Sequence, residues 1–274
     1  MGLVNVLFGR PLASSEDTGQ RITPMQGIPT FGLDALSSAA YGPEAALTIL
    51  LPLGLIGVRY VVPLTFAVIA LLTIVYFSYR QTIAAYPNGG GSYTVARENL
   101  GHRAGLLAGA ALMIDYLLNV AVGISAGIGA LVSAVPRLEP HTLAMCLVVL
   151  VILTVVNLRG VKEAGSAFLA PTYMFVGTLT VVILVGLYKV AASGGHPVAV
   201  VSPMEMGIGP SLQMVSLWLL VKAFASGCTA LTGVEAVSNG VQAFREPVVP
   251  AARRTLTAIF LFLILLLGGI AVLV

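Results

Sequence analysis

Apolar side chains follow one another along this chain in long, nearly unbroken stretches, separated by short clusters of polar and basic residues. Neither a one-sided 3.6-residue stripe nor strict alternation dominates. A helix that is apolar on every side has to sit in an apolar surrounding, and a span of the bilayer takes about 20 predominantly apolar residues. Seven stretches meet that length: Thr30–Leu53, Tyr60–Tyr79, Ala104–Val135, Thr142–Asn157, Ala167–Val190, Leu212–Ala236 and Thr255–Val274. The third and sixth are long enough to tilt or to hold an internal irregularity. The pattern predicts an all-α polytopic membrane protein.

Composition agrees. Of 274 residues, 58% are hydrophobic and 9% charged, against roughly 25% charged in a soluble domain. The net charge of +3 is small, so the placement of charge matters more than its sum. With the N-terminus in the cytoplasm, that side holds Arg10, Arg21, Arg80, Arg97, Arg103, Arg159, Lys162, Arg245, Arg253 and Arg254, and the other only Arg59, Arg137 and Lys189. Basic residues favour the cytoplasmic side, so this orientation is expected. Lys222 falls within the sixth span, where it either neutralises an acid or snorkels to the outer interface. Cys146 and Cys228 lie in apolar runs and read as small buried hydrophobes. Leu3 to Phe8 is too short for a signal-peptide core, and Arg10 follows it instead of preceding it. Val6 stands where N-myristoylation wants Ser or Thr.

Polar residues interrupt three of the spans. In FGLDALSSAAYGPEAALTILLPLG, from Phe31 to Gly54, Pro43 lacks an amide hydrogen and Gly42 adds freedom. The helix is expected to unwind near Ala40–Pro43, which would leave backbone about Ala40 and Gly42 for a ligand. Irregular backbone at membrane depth survives only against protein or a wet cavity. A plain proline kink is the competing reading. Against it stands Asp34, seven residues, about two turns, before Tyr41 and so on its face. An intramembrane carboxylate costs on the order of 2.5–3.5 kcal/mol or more and usually faces a site. Glu44 directly follows the break and reads as a cap on the second half-helix through its dipole.

The sixth span repeats the theme in ASGCTALTGVEAVSNG, with Ser226-Gly227 and Gly233 expected to break it and Glu235 inside it. Thr229, Thr232 and Glu235 recur every three residues, so they are expected on one face. Interrupted helices at corresponding places in two repeats point to a secondary transporter site. Spans one to five (30–190) then form a first inverted repeat, and spans six and seven (212–274) the start of a second. Residues 1–29 are a cytoplasmic segment, and the remainder of the transporter is expected beyond Val274. The third span adds MIDYLLNVAVGISAG, where Asp115, Asn119 and Gly123 share a face at spacings of four and Tyr116 adjoins it. Close packing through small residues explains the glycines and leaves Asp115 unexplained. Three carboxylates (Asp34, Asp115 and Glu235) cannot all stay charged in a low-dielectric site without a counterion. They suit proton carriage or the balancing of a bound cation.

Between spans two and three lies YPNGGGSYTVARENLG, Tyr86 to Gly101. It lacks the Gly-Lys-Ser/Thr of a phosphate loop and is not in a strand–helix unit, so nucleotide binding is rejected. It reads as a tight cytoplasmic turn whose glycines permit close backbone approach.

Pro87, Gly89, Gly90 or Gly91, Tyr93 and Gly101 resemble the loop signature of the amino acid–polyamine–cation (APC) superfamily. With LDALSSAAYGPEA, DYLLNVAVGISAG, SGCTALTGVEAVSNG and LFGRPLASSED, nearly the whole chain resembles its KimA-like branch of proton-coupled bacterial potassium importers. The resemblance implies a LeuT-like inverted-repeat bundle, usually of twelve spans and here seven, that works as a homodimer, often with a cytoplasmic C-terminal domain. It implies that Tyr41, Tyr116 and Thr232 stand at a potassium site and that Asp34, Asp115 and Glu235 handle protons or cations. Asn119 and Gly123 depart from hydroxyl-bearing residues in those importers. Asn still offers a carbonyl oxygen to a cation, whereas Gly offers no side chain.

The expected function is therefore secondary active, proton-coupled uptake of a small cation, potassium first, with no enzymatic activity. No cofactor, transition metal or nucleic-acid partner is expected, only the bilayer, the transported K+ and H+, and a second copy. An amino-acid or polyamine permease is the alternative. Acids beside the first-span break would repel an amino acid's carboxylate, though a polyamine escapes that objection. An ion channel would need several carbonyl-rich loops around an axis, and none is evident; a non-transporting receptor is the remaining alternative. His102, His141 and His196 lie in loops or at a span edge and read as interfacial residues.

Overall fold

Long helices joined by short turns make up a computed structural model that describes residues 21–195 and 215–274. Arg10, the LFGRPLASSED stretch, His196 and the first residues of the sixth expected span, 212–214, lie outside the described residues. The helices are α1 (Pro24–Leu50), α2 (Val61–Ala85), α3 (Gly91–Leu100), α4 (His102–Ala134), α5 (Thr142–Leu158), α6 (Val161–Ala192), α7 (Leu217–Gly227), the single turn α8 (Ala236–Asn239) and α9 (Val248–Leu273). A four-residue helical turn, Leu55–Val58, precedes α2, and tighter 3-10 turns cover Leu51–Leu53, Cys228–Leu231 and Val241–Ala243.

Five segments are long and apolar enough to cross a membrane: Ile56–Ala85, His102–Ala134, Pro136–Leu158, Val161–Ala192 and Val248–Leu273. They match expected spans two, three, four, five and seven. No residue of α5 is buried. Such a helix is stable in lipid because its backbone bonds are internal and its apolar side chains meet an apolar solvent. Cys146 and Cys228 are free and half-buried, less enclosed than their apolar neighbourhoods suggest.

Contacts divide the chain into two compact units. The described part of the first comprises 21–34, Phe77–Thr172 and Gly233–Ala258. Here the backbone of Ile22 pairs with the segment after α8. The Ile22 N–H donates to Ala243 O at 2.8 Å and the Arg245 N–H to Ile22 O at 3.0 Å. Phe244 is fully buried and packs on Phe31 with ring centroids 5.5 Å apart. The Thr255 hydroxyl donates to Pro24 O at 3.2 Å, and an exposed ion pair joins Arg21 to Glu246 at 2.9 Å.

The second unit comprises Ala35–Tyr76, the described residues of 173–232, and Ile259–Val274. Leu50, Leu53, Val61 and Ala223 form a buried cluster. Tyr76 stacks on Phe260 at 4.1 Å between centroids, with Leu263 and Leu267 of α9 fully buried. A small apolar cavity is lined by Pro43, Thr65, Val68, Phe224, Gly227 and Leu267.

The expected break in the first span is absent. α1 runs through Gly42 and Pro43 as one helix of 27 residues, and Gly42 has no positive φ. A proline removes one backbone bond and crowds the preceding turn. A helix held on both sides of it can absorb that, as α6 does at Pro171. Gly42 serves packing instead. A Cβ on it would stand 2.7 Å from Ala230 Cβ and 3.0 Å from Ala230 N, so its hydrogen is what lets the Cys228–Leu231 turn lie against α1. Glu44 accordingly caps no half-helix; it is exposed on a continuous one.

The sixth span does break. α7 ends at Gly227, Cys228–Leu231 is a 3-10 turn and Thr232 is extended, with φ −64° and ψ 146°. Gly233 has φ +80°, and α8 resumes at Ala236. The expectation of one face for Thr229, Thr232 and Glu235 fails for that reason, because a period of three has no meaning where the helix is unwound. Lys222 is exposed on α7.

Replacing a helical glycine by alanine ordinarily adds up to about 1 kcal/mol of helix stability. Gly42→Ala should do the reverse, since overpacking against backbone costs roughly 1–3 kcal/mol. Gly123→Ala, where no atom lies within 4 Å of the new Cβ, should be neutral or mildly stabilising. Thermal unfolding of the two variants in detergent measures the difference.

Candidate functional site

Two groups of polar side chains stand out, one in each unit. In the first unit the long helix α4 carries Asp115, Tyr116 and Asn119. Asp115 and Asn119 are one turn apart, and Asn119 Nδ2 donates to Asp115 Oδ2 at 3.3 Å, as their spacing predicts. Glu235 sits at the start of α8 and is only 8% exposed. Its main-chain carbonyl accepts from the Ser238 hydroxyl at 2.7 Å. Its carboxylate lies within electrostatic reach of Asp115 and Asp34, with the Tyr116 hydroxyl alongside. Carboxylate atom Oε1 is buried without a hydrogen-bond partner. The three expected acids, Asp34, Asp115 and Glu235, therefore belong to one unit, with Asp34 and Asp115 in electrostatic reach of Glu235 and the Tyr116 hydroxyl beside it.

Asn239 closes α8. Its Nδ2 donates to the Tyr116 hydroxyl at 2.6 Å, and its backbone carbonyl accepts from Gly90 N–H at 3.2 Å. Three successive glycines, Gly89, Gly90 and Gly91, take positive φ values of 76°, 93° and 42°, a region closed to most side chains. A Cβ on Gly91 would collide with Asn239 Oδ1. The tight turn with close backbone approach read from YPNGGGSY is thus present, and what it approaches is Asn239.

In the second unit, Ser38 Oγ lies 2.5 Å from the Tyr41 hydroxyl and 3.0 Å from Thr232 Oγ1. Thr232 donates to Thr229 O at 2.8 Å, so it accepts from Ser38. Tyr41 and Thr232 are thereby linked through Ser38. Ala40 and Gly42 flank Tyr41 on the unbroken α1 and present no freed backbone. Neutral hydroxyl oxygens of this kind suit a hard monovalent cation and give no charge to hold an anion.

Ser38 and Asn239 were not among the residues singled out from the sequence. Ser38 stands one helical turn before Tyr41, a spacing that signals a contact on any helix. Asn239 precedes a glycine and reads locally as a helix end, with nothing to point to a tyrosine 123 positions away.

Comparison with known proteins identifies the family. The profile described as amino acid permease matches residues 35–274. The chain is also 42% identical over 267 residues to the potassium transporter KimA of Bacillus subtilis (strain 168). That match takes in 97% of this chain and 43% of the relative, so the chain spans less than half the relative's length. Together with five helices fit to cross a membrane, the profile match means that the chain is multi-pass and belongs to the amino acid permease family of membrane transporters.

Proposed function

We infer that this chain is part of a secondary active transporter of a bacterial plasma membrane, taking up a small cation, potassium first, together with protons. The observation that carries this reading is the buried Glu235 with Asp115 and Asp34 in electrostatic reach of it. A buried carboxylate with other carboxylates in reach favours taking up either a proton or a metal cation. That competition is the minimal chemistry of coupling. Tyr41, Ser38 and Thr232 would supply neutral oxygens to a partly dehydrated cation. The name of the relative, a potassium transporter, supports potassium over other cations.

The surplus of basic residues in one set of connections supports a cytoplasmic N-terminus. The complete protein would act as a homodimer, without a cofactor. A second reading, transport of an amino acid or polyamine, is favoured by the description of the family. The acid cluster opposes an amino acid's carboxylate and leaves a polyamine open.

The complete protein in proteoliposomes should take up potassium faster with an inward proton gradient, and sodium, amino acids and polyamines slowly or not at all. Uptake of an amino acid without potassium uptake would overturn the proposal. Asp115→Asn should flatten the pH dependence of uptake; an unchanged profile removes Asp115 from the proton path. Thr232→Val deletes one oxygen and its link to Ser38, worth roughly 1 kcal/mol. Its KM for potassium should rise about fivefold to tenfold, with little change in pH profile.

A further inference from the structure

We propose that Gly42 is a positioning residue: by letting the Cys228–Leu231 turn rest directly on α1, it fixes the spacing of the Ser38, Tyr41 and Thr232 hydroxyls and so selects the size of the cation they accept. The proposal rests on the reading that these oxygens hold the transported cation. On the continuous helix α1, Ser38, Gly42 and Ala46 follow one another at intervals of four and so lie on one face. Each meets one residue of the interrupted sixth span, taken in reverse order. Ser38 Oγ lies 3.0 Å from Thr232 Oγ1. A Cβ on Gly42 would stand 2.7 Å from Ala230 Cβ, 3.0 Å from Ala230 N and 3.2 Å from Ala230 Cα. A Cβ on Gly227 would stand 3.4 Å from Ala46 Cβ, an ordinary van der Waals contact. The place with no room to spare is therefore the one adjoining the hydroxyls, and both Ser38 and Ala230 are fully buried there.

What Gly42 meets is not a flexible tip. Alanine has no side-chain torsion that could swing its Cβ aside, so a larger residue at 42 has to displace the turn itself. Thr232 is tied to that turn. Its N–H and its hydroxyl both donate to Thr229 O, at 3.2 and 2.8 Å. Ser38 and Tyr41 stay with α1, one turn apart and hydrogen-bonded to each other. Two of the three oxygens thus belong to α1 and the third to the turn, and the contact of Gly42 with Ala230 sets the gap between them. A close-packed interior transmits such a displacement instead of absorbing it. Oxygen sites discriminate among monovalent cations by the distance and number of their oxygens. Ionic radius rises from potassium through rubidium to caesium, so a wider gap favours the larger ions.

The test is competitive uptake of potassium, rubidium and caesium by the complete protein in proteoliposomes. Alongside it, the stabilisation that each chloride gives the purified protein against thermal unfolding reports binding without transport. In Gly42→Ala the preference for potassium over caesium should fall about tenfold, the scale on which a pocket resolves one methylene. Ala230→Val crowds the same contact from the other side and should act in the same direction, which serves if Gly42→Ala fails to fold. Adding Ala230→Gly to Gly42→Ala removes the nearest clashing atom and should return the preference towards its original value, as expected for residues in contact. Gly227→Ala, one contact further along, should leave the preference unchanged. An equal loss for all three ions in Gly42→Ala, with the preference intact, is what a purely structural role gives, and it overturns the proposal. So does a change of preference in Gly227→Ala as large as that in Gly42→Ala. If the unsubstituted protein is neither stabilised by these ions nor transports any of them, the cation reading itself falls, and this proposal with it.

Discussion

In lipid, a backbone amide or carbonyl that loses its helical partner has no water to turn to. The sixth span abandons the helix from Cys228 to Glu235, and the surrounding chemistry is arranged to meet that constraint. Hydroxyl side chains add a second donor to carbonyls that already take a backbone N–H: Thr229 donates to Ser226 O at 2.7 Å and Thr232 to Thr229 O at 2.8 Å. Ser238 gives its proton to Glu235 O. Where α8 runs out, Gly90 N–H caps the Asn239 carbonyl. The Ser and Thr hydroxyls of this stretch therefore reinforce an irregular backbone. Capacity to meet a ligand follows from it, because each hydroxyl that donates to a carbonyl keeps its lone pairs for something else.

The same constraint bears on where polar side chains gather. A carboxylate such as Glu235 is tolerated where irregular backbone has already excluded lipid, and the stretch from Cys228 to Asn239 supplies such a place. α5, with no buried residue, is almost wholly apolar.

Much of this was legible from the order of residues. Five spans follow from apolar length alone, because lipid imposes that length whatever the neighbours. The pairing of Asp115 with Asn119 follows from helical spacing. The break in the sixth span was signalled by Gly227 and Gly233, yet the placement of Thr232 and Glu235 was not, since spacing arguments presuppose a regular helix. The continuity of α1 through Pro43 was misread for the opposite reason. Gly-Pro is a local weakness, and whether it opens depends on what presses on it, here the backbone of Ala230. Asn239 escaped notice because its meaning lies wholly in contacts with Tyr116 and the Gly89–Gly91 turn, far away along the chain.

The Gly89–Gly91 turn has a consequence for how sequences of this kind are interpreted. Its letters are dictated by left-handed dihedral angles and by the bulk of a neighbouring amide, both matters of shape. Two proteins sharing that tripeptide letter for letter share a hinge-like corner of the scaffold and need not share a passenger. Discrimination among ions or metabolites has to be sought where side chains, not dihedrals, make the difference.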